Sequence, residues 1–290
     1  MSIIYNNGDY QSDQQAKVSI YDRSFLFGEG LFESFRSFDG QIPFLKDHLN
    51  RLEWSSTFLN MEFPDDLDFS KILQNLLTQN EIKEARFKIV LSRVGLSCLD
   101  MTIDPTSKLD APLKTNILIY CFPLSKNLPQ ATYKLKTIKN FTNDSLPIST
   151  IKSTNYLVKS MAKRSAIESG FDDGILLNKH GNVTETSTAN IFWIDEDAKL
   201  WTILPEQGYL SGVMQKKLKD CLDKCKINHK EGVITPEQLS SSREVFITNS
   251  VIGIKPIVAI DNRQISGGEI GSITTMLMDN WEKYLKEICN

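Results

Sequence analysis

The chain has 290 residues, 41% hydrophobic and 24% charged, which is enough for one large or two ordinary domains with substantial cores. Its 33 basic and 36 acidic residues give a net charge of -3, so it lacks the strong basic field typical of proteins that bind nucleic acid or anionic membranes. The N-terminus shows no basic segment followed by an apolar one, and no run of about 18 apolar residues occurs. The histidines lie far apart and the cysteines form no Cys-x-x-Cys pair, so no metal site is expected. We expect a cytoplasmic globular protein without a nucleic-acid or membrane partner.

The first part of the chain alternates between strand and helix patterns. In chain order it predicts strands at 3–5 and 17–21, a glycine turn within 22–33, a hairpin at 31–44 around Asp39 and Gly40, helices at 45–59 and 68–80, and strands at 85–93 and 116–122. These elements predict a small N-terminal α/β domain over residues 1–122, followed by a linker at 123–129.

The second part becomes strand-rich after one helix. It predicts a strand at 133–139, a helix at 154–169, strands at 174–177, 183–186, 190–194, 200–204 and 244–249, and a last helix at 271–289. Ser211 is the predicted N-cap of a helix that ends at Cys225, and Thr235 with Gln238 forms a predicted capping box. A larger strand-rich domain over 130–290 is therefore expected, and the fold class is α+β.

Lys152 is the first candidate for chemistry. It follows a loop rich in proline, serine and threonine and precedes a helical pattern, a location typical of catalytic side chains. A lysine becomes nucleophilic when burial or nearby positive charge lowers its pKa, and apolar Ile151 and Leu157 could supply that burial. An ordinary solvated lysine is the alternative. Glu185 lies 33 residues further on, among small polar residues and without a basic neighbour in that run.

Four motifs together resemble the class IV aminotransferase family, the fold-type IV enzymes that use pyridoxal 5′-phosphate. They are Asp-Arg-x-x-x-Phe-Gly-Glu-Gly-x-Phe-Glu at 22–33, His-x-x-Arg-Leu at 48–52, Lys-x-x-Asn-Tyr-Leu at 152–157, and Val-Thr-Glu-Thr-Ser-x-Ala-Asn-Ile-Phe at 183–192. Glu29 replaces the aspartate usual in the first motif. The resemblance covers nearly the whole chain and implies a larger domain of pseudo-barrel form. It also implies a homodimer, with the site at the domain boundary and partly closed by the neighbouring subunit.

The resemblance implies a role for each candidate residue. Lys152 would hold the cofactor as a Schiff base and shuttle a substrate proton, and Glu185 would keep the pyridine nitrogen protonated. Arg51 would bind the cofactor phosphate, which suits a planar guanidinium, although an arginine on an amphipathic helix is commonly solvated. Further residues implied to bind the cofactor are Val213 and Met214 through their amides, Asn249 or Ser250, and Asn155; Phe32 and Arg93 would face the substrate. At two of these places a purely structural role is the alternative to cofactor binding. Ser211 would only cap the start of a helix, and the residues after the strand that ends at Asn249 would only form a turn.

The reaction is less firmly indicated than the family. Lys152 and Asn155 are three residues apart, as in lyases and D-amino acid aminotransferases, whereas branched-chain aminotransferases place the asparagine four residues after the lysine. The D-amino acid type also has a tyrosine near Phe32 and an Arg-x-His element, and this chain has neither. The Asn-Ser-x-Ile-Gly-Ile-x-Pro run at 249–256 is closest to lyase-type members.

One feature differs from the lyases. They carry a second arginine shortly after Ser-Arg-Gly, whereas this chain continues from Arg93 as Val-Gly-Leu-Ser-Cys. Either Arg93 or Lys88 would then bind the substrate carboxylate, or both are surface charges. We predict a 4-amino-4-deoxychorismate lyase that acts on a small-molecule amino substrate and forms p-aminobenzoate and pyruvate in folate biosynthesis. The alternatives are an aminotransferase of D- or branched-chain amino acids, and a degenerate protein that only binds pyridoxal phosphate.

Overall fold

The computed structural model describes residues 1–94, 114–124, 131–142 and 147–289. They group into two compact units, one within Met1–Leu124 and Ile151–Tyr156, the other within Ser125–Thr150 and Leu157–Asn290. The predicted linker lies largely outside the described residues, so its bounds stay a prediction. Each unit combines helices with a sheet, which confirms the mixed α+β class. In the part of the chain that the structure describes, no helix is both long and apolar enough to cross a membrane.

The first unit contains a five-stranded antiparallel sheet with the order β2-β1-β5-β4-β3. Its elements are β1 (Ile3–Asn6), β2 (Asp9–Ser12), α1 (Arg23–Phe27), β3 (Gly30–Arg36), α2 (Leu45–Phe58), α3 (Phe69–Gln79), β4 (Ala85–Arg93) and β5 (Thr115–Pro123). Alternate residues of β4, namely Phe87, Ile89 and Leu91, are fully buried in one apolar core with Leu73 and Leu76 of α3. The remaining side chains of β3 and β4 lie on the opposite face of the sheet.

The second unit contains a mixed sheet with the order β11-β10-β9-β12-β13-β6-β7-β8, to which β14 adds at β13. Its elements are β6 (Tyr133–Thr142), α4 (Leu157–Glu168), β7 (Asp173–Leu177), β8 (Val183–Thr186), β9 (Asn190–Ile194), β10 (Leu200–Ile203), α5 (Val213–Lys224), β11 (His229–Gly232), α6 (Pro236–Leu239), β12 (Glu244–Asn249), β13 (Gly253–Ile260), β14 (Arg263–Gln264) and α7 (Ser272–Cys289). Its core gathers buried side chains from most of these strands, including Ile191, Val245, Ile247 and Ile257.

Three local predictions are wrong. Residues 17–21 form no strand, and Val18 and Ile20 are 61% and 67% exposed, because β-branched residues form a strand only where a neighbouring edge pairs with them. The predicted hairpin at 31–44 is reduced to a bridge between Phe38 and Gln41, after which the chain turns into α2. The N-cap of α5 is Gly212 rather than Ser211, and no side chain of the described residues caps that helix start.

Candidate active site

Lys152 lies in a short segment that extends the free edge of β3. The amide of Phe32 donates to the carbonyl oxygen of Lys152 at 2.8 Å, and the amide of Thr154 donates to the carbonyl oxygen of Gly30 at 2.8 Å. An antiparallel bridge joins the two segments between these bonds. Because an edge strand offers unpaired backbone groups, β3 binds residues 152–154 as it would a further strand. The backbone of the candidate lysine is therefore held in place by the sheet.

The glycine-rich motif at 22–33 contacts the residues that follow Lys152. Gly28 has a left-handed conformation with φ of 72°, and a Cβ there would lie 3.0 Å from the Cβ of Asn155. Glycine meets both demands, since it has no Cβ and accepts positive φ. Thr154 Oγ1 donates to the Gly28 carbonyl oxygen at 3.0 Å and accepts from Ser24 Oγ at 2.8 Å. In the structure, Asn155 thus packs against the motif that borders the Lys152 segment.

Two ammonium groups approach the ring of Phe32. Lys152 Nζ lies 4.6 Å from the ring centroid, and Lys88 Nζ lies 4.5 Å from it. Tyr156 packs edge-to-face on the same ring at 5.5 Å between centroids. Burial lowers the pKa of Lys88, and the charge of Arg86 adds to that effect. The face of the sheet around Phe32 therefore concentrates positive charge beside an aromatic surface, which suits a ligand with a carboxylate.

Arg51 belongs to a buried cluster with Glu33 and His48. Its Nε and Nη2 donate to the two oxygens of Glu33 at 2.7 and 2.6 Å, and His48 Nδ1 lies 2.7 Å from Glu33 Oε2. Burial alone would raise the pKa of Glu33, but the charge and hydrogen bonds of Arg51 and His48 outweigh it and lower that pKa to about 2. Burial also lowers the pKa of His48, and the nearby charge of Lys152 acts in the same direction. Glu33 fixes the orientation of Arg51, and sequence reasoning missed it although it ends the first motif.

Arg93 is bound to Glu29 rather than gathered around Phe32. Its Nη1 lies 2.9 Å from Glu29 Oε2, and Arg23 holds the same carboxylate at 2.6 and 2.8 Å. Arg93 Nε is buried and has no hydrogen-bond partner within the described residues. The stretch after Val94 that lacks the second arginine lies outside the described residues. Of the two cations considered for a substrate carboxylate, Lys88 is the one that shares the Phe32 ring with Lys152.

Glu185 pairs with a lysine that the motifs did not indicate. Glu185 is 3% exposed on β8 and accepts a hydrogen bond from Lys159 Nζ at 2.8 Å. Lys159 lies in the first turn of α4, 26 residues earlier in the chain. Such a pair depends on how a helix packs on a sheet, so no sequence spacing could have revealed it.

Val213 and Met214 begin α5 and are buried, with Gly212 as the N-cap. A Cβ on Gly212 would overlap Asn190 Oδ1, so the backbone comes close to β9 only because that residue is glycine. Asn190 Nδ2 in turn donates to the carbonyl oxygen of Leu210 at 2.9 Å. The first amides of this helix, which lack a side-chain cap, are thereby held in a defined position.

The end of β12 lies beside this helix start, because Thr248 is paired with Asn190 across β12 and β9. The Thr248 hydroxyl is buried and has no hydrogen-bond partner in the part of the chain that the structure describes. Asn249 Oδ1 accepts from the amides of Val251 and Ile252 at 2.9 Å each, so the Asn249 side chain forms the turn. Ser250 follows in that turn and is partly exposed.

The chain is similar over nearly its full length to proteins of one family. The sequence model described as amino-transferase class IV matches residues 30–260. The D-alanine aminotransferase of Staphylococcus epidermidis is 27% identical over 289 residues, which cover 99% of each chain. The aminodeoxychorismate lyase of Bacillus subtilis is 29% identical over 289 residues, or 99% of this chain and 96% of that one.

A solved structure agrees with the sequence comparison. The branched-chain aminotransferase of Thermoproteus uzoniensis, crystallised with norvaline, superposes with a TM-score of 0.83 at 25% identity, over 97% of this chain and 94% of that one. The shared fold confirms the fold-type IV architecture. These similar proteins have three different activities at nearly equal identity, so similarity alone does not select the reaction. The match shows that the chain is an enzyme of the class IV aminotransferase family, whose members depend on pyridoxal phosphate.

Proposed function

We propose that the chain binds pyridoxal 5′-phosphate through Lys152 and acts as a 4-amino-4-deoxychorismate lyase. The observation that carries the proposal is the placement of Lys152. Its backbone is hydrogen-bonded to the edge of β3, and its ammonium lies 4.6 Å from the Phe32 ring. A lysine with a fixed backbone and a nearby second cation is the kind of side chain that becomes a nucleophile.

The residues of the second unit fit the cofactor. A phosphate needs several donors, and the uncapped amides of Val213 and Met214 supply them at a helix N-terminus. The Thr248 hydroxyl, for which the described residues offer no hydrogen-bond partner, is a further donor beside them, and Ser250 Oγ is a candidate from the next turn. Buried Glu185 offers a carboxylate to a protonated ring nitrogen.

Each side chain then has a defined task. Bound pyridoxal phosphate would supply an electron sink for the carbanion that forms on the substrate. Glu185 would hold a proton at the ring nitrogen, and Arg51, oriented by Glu33, would bind the phosphate by the role that the family motif implies. Lys152 Nζ would take a proton from the substrate ring carbon and deliver one to the methylene of the departing enolpyruvyl group. The products are p-aminobenzoate and pyruvate.

Two features favour the lyase. The three-residue spacing from Lys152 to Asn155 matches the lyase pattern rather than the branched-chain one. Lys88 places a second ammonium 4.5 Å from the Phe32 ring, and the lyase substrate carries two carboxylates. An aminotransferase of D- or branched-chain amino acids is the second candidate, because similar proteins have those names.

The test is an assay of the protein loaded with pyridoxal phosphate and given aminodeoxychorismate. We expect p-aminobenzoate and pyruvate in equal amounts, and a loss of about 10²- to 10⁴-fold in Lys152→Ala, since a positioned proton-transfer group typically contributes that much. Absence of both products, from a protein whose bound cofactor reacts with amines, would overturn the lyase. Transfer of the amino group from D- or L-amino acids to keto acids would then establish the aminotransferase. If the bound cofactor reacted with no amine, the chain would be a degenerate protein that only binds pyridoxal phosphate.

We also propose a homodimer. The segment around α1 exposes several large apolar side chains, with Val18 61%, Ile20 67%, Tyr21 54% and Phe25 71% exposed. A contiguous run of this kind commonly marks a protein–protein contact. Light scattering should give twice the monomer mass, and Ile20→Asp with Phe25→Asp should shift it toward the monomer. A monomeric wild-type protein would contradict the dimer. The cytoplasmic location and the place in folate biosynthesis stay predictions.

A further inference from the structure

Lys159 is placed where its own helix does not favour a cation. It lies in the first turn of α4, which contains no acidic residue, and the helix dipole disfavours positive charge at that end. Lys163 follows one turn later, and like charges at this spacing repel each other. The helix itself therefore does not stabilise the charge of Lys159, and a group outside the helix has to do so.

Glu185 is that group. The two side chains are only 18% and 4% exposed, and their charged atoms are 2.8 Å apart. A buried carboxylate without a counter-charge is strongly destabilising, whereas a paired one is tolerated. In the second unit as the structure describes it, an ammonium therefore stabilises the charged form of the carboxylate that the proposed function assigns to the cofactor ring nitrogen.

The neighbouring pair on the same helix shows what a purely structural contact looks like. Lys163 Nζ lies 3.6 Å from Asp173 Oδ2, and Asp173 also accepts hydrogen bonds from Thr186 at 3.1 Å and Thr188 at 2.7 Å. Asp173 is surrounded by donors that belong to its own unit. A new ligand would find this carboxylate already satisfied.

We propose that Lys159 is a positioning residue that serves as an exchangeable counter-ion for Glu185. It keeps the carboxylate ionised and oriented before the cofactor binds, and it shares that carboxylate with the protonated ring nitrogen afterwards. This inference rests on the proposed function. Because the two cations then compete for one anion, Lys159 weakens cofactor binding and lowers the pKa of the ring nitrogen.

The experiment compares apo- and holoprotein for wild type, Lys159→Met and the control Lys163→Met. Thermal unfolding should show that Lys159→Met destabilises the apoprotein more than the holoprotein, since the ring nitrogen replaces the lost charge. Pyridoxal phosphate added to the apo variant should bind about tenfold more tightly than to wild type. Nitrogen-15 NMR of ring-labelled pyridoxal phosphate should show a pKa of the ring nitrogen that is higher by about one. Lys163→Met should affect both forms equally and leave cofactor affinity unchanged.

Further variants guard against a protein that fails to fold. Lys159→Arg keeps the charge and should retain wild-type affinity, while the double variant Lys159→Met with Glu185→Gln removes both charges and should recover apoprotein stability. Equal destabilisation of apo and holo forms by Lys159→Met, or weaker cofactor binding, would overturn this proposal alone. A wild-type protein that does not bind pyridoxal phosphate would overturn the proposed function and this proposal together.

Discussion

Glu33 and Glu185 are both almost fully buried, yet their surroundings differ. Glu33 receives a two-pronged guanidinium and an imidazole, at 2.6 to 2.7 Å, from residues one turn apart on α2. Glu185 pairs with the long side chain of Lys159, at the start of α4. A planar guanidinium locks two oxygens at once, whereas an ammonium on a flexible stem holds one and moves readily. The first carboxylate is part of the fixed architecture, and the second can accept a new partner.

The two carboxylates need different degrees of rigidity. Glu33 orients Arg51, a residue that must keep its direction, so a rigid cluster serves it. Glu185 must be ionised in advance but available to a ligand, so a mobile counter-ion serves it better.

Removing the charge of Glu33 should destabilise the first unit most. Glu33→Gln leaves Arg51 without a carboxylate in a buried cluster, and breaking such a pair costs about 3–5 kcal/mol. We expect this loss in the apoprotein by urea unfolding, and a smaller loss in the holoprotein, where the cofactor phosphate assigned to Arg51 offers that guanidinium another anion. Glu53→Gln, at an exposed position of the same helix, is the matched control and should change stability by less than about 0.5 kcal/mol. If Glu33→Gln left the stability unchanged, Glu33 would not be the fixed, stabilising carboxylate of this comparison.

Acid should destabilise the protein through Glu33 as well. Its pKa falls from 4.5 to about 2 on folding, so its contribution is fully present above about pH 4.5 and is lost as the pH drops toward 2. Linkage gives about 3 kcal/mol for that shift. The pKa of buried His48 is lowered from 6.5, so its protonation below that pH also favours unfolding. Unfolding measured between pH 6 and pH 2 should show a smaller acid loss in Glu33→Gln, and an equal loss would contradict the assigned cause.

Removing Glu185 should affect the reaction more than the fold. In Glu185→Ala the Lys159 ammonium can turn toward solvent, since its side chain is already 18% exposed. We expect turnover to fall about 100-fold while pyridoxal phosphate still binds, because the lost interaction is an electrostatic one at the reacting system. Steady-state kinetics and cofactor titration measure the two quantities. Glu206→Ala, at an exposed position, is the control, and unimpaired turnover in Glu185→Ala would refute the role.

Lys88 should contribute the smallest effect, on substrate binding. Lys88→Met removes one of the two ammonium groups at the Phe32 ring, and we expect KM to rise about tenfold with little change in kcat. Arg93→Met removes a cation that is already bound to Glu29, so it should lower stability without a comparable rise in KM. Steady-state kinetics of both variants distinguish Lys88 from Arg93. A rise in KM in Arg93→Met but not in Lys88→Met would assign the substrate carboxylate contact to Arg93 instead.

The sequence predicted the regular parts of the fold well. Strands 85–93, 183–186, 190–194 and 244–249 match the structure residue for residue, and the capping box at Thr235 forms. Each is a local pattern, either apolar side chains in a short run or a cap with its partner three residues on. Residues 17–21 have strand composition but pair with no strand of the described residues, so propensity alone misled.

The sequence motifs indicate the candidate residues, and the roles of these residues stay predictions. Lys152, Glu185 and Arg51 stand in motifs, and the structure gives each a buried or packed setting. The partners that tune them were not predictable. Lys159 contacts Glu185 across 26 residues, and Lys88 reaches Phe32 from the next strand, so both contacts depend on tertiary packing.

Identifying the lysine that holds the cofactor is the most direct test of the proposed site. Borohydride would be added to the protein loaded with pyridoxal phosphate, which fixes the cofactor to the amine that binds it, and the digested peptides would be examined by mass spectrometry. We expect the label on Lys152, with Lys88, Lys159 and Lys163 unlabelled. A label on one of those three lysines, or no label on a protein that binds the cofactor, would contradict the assignment of Lys152.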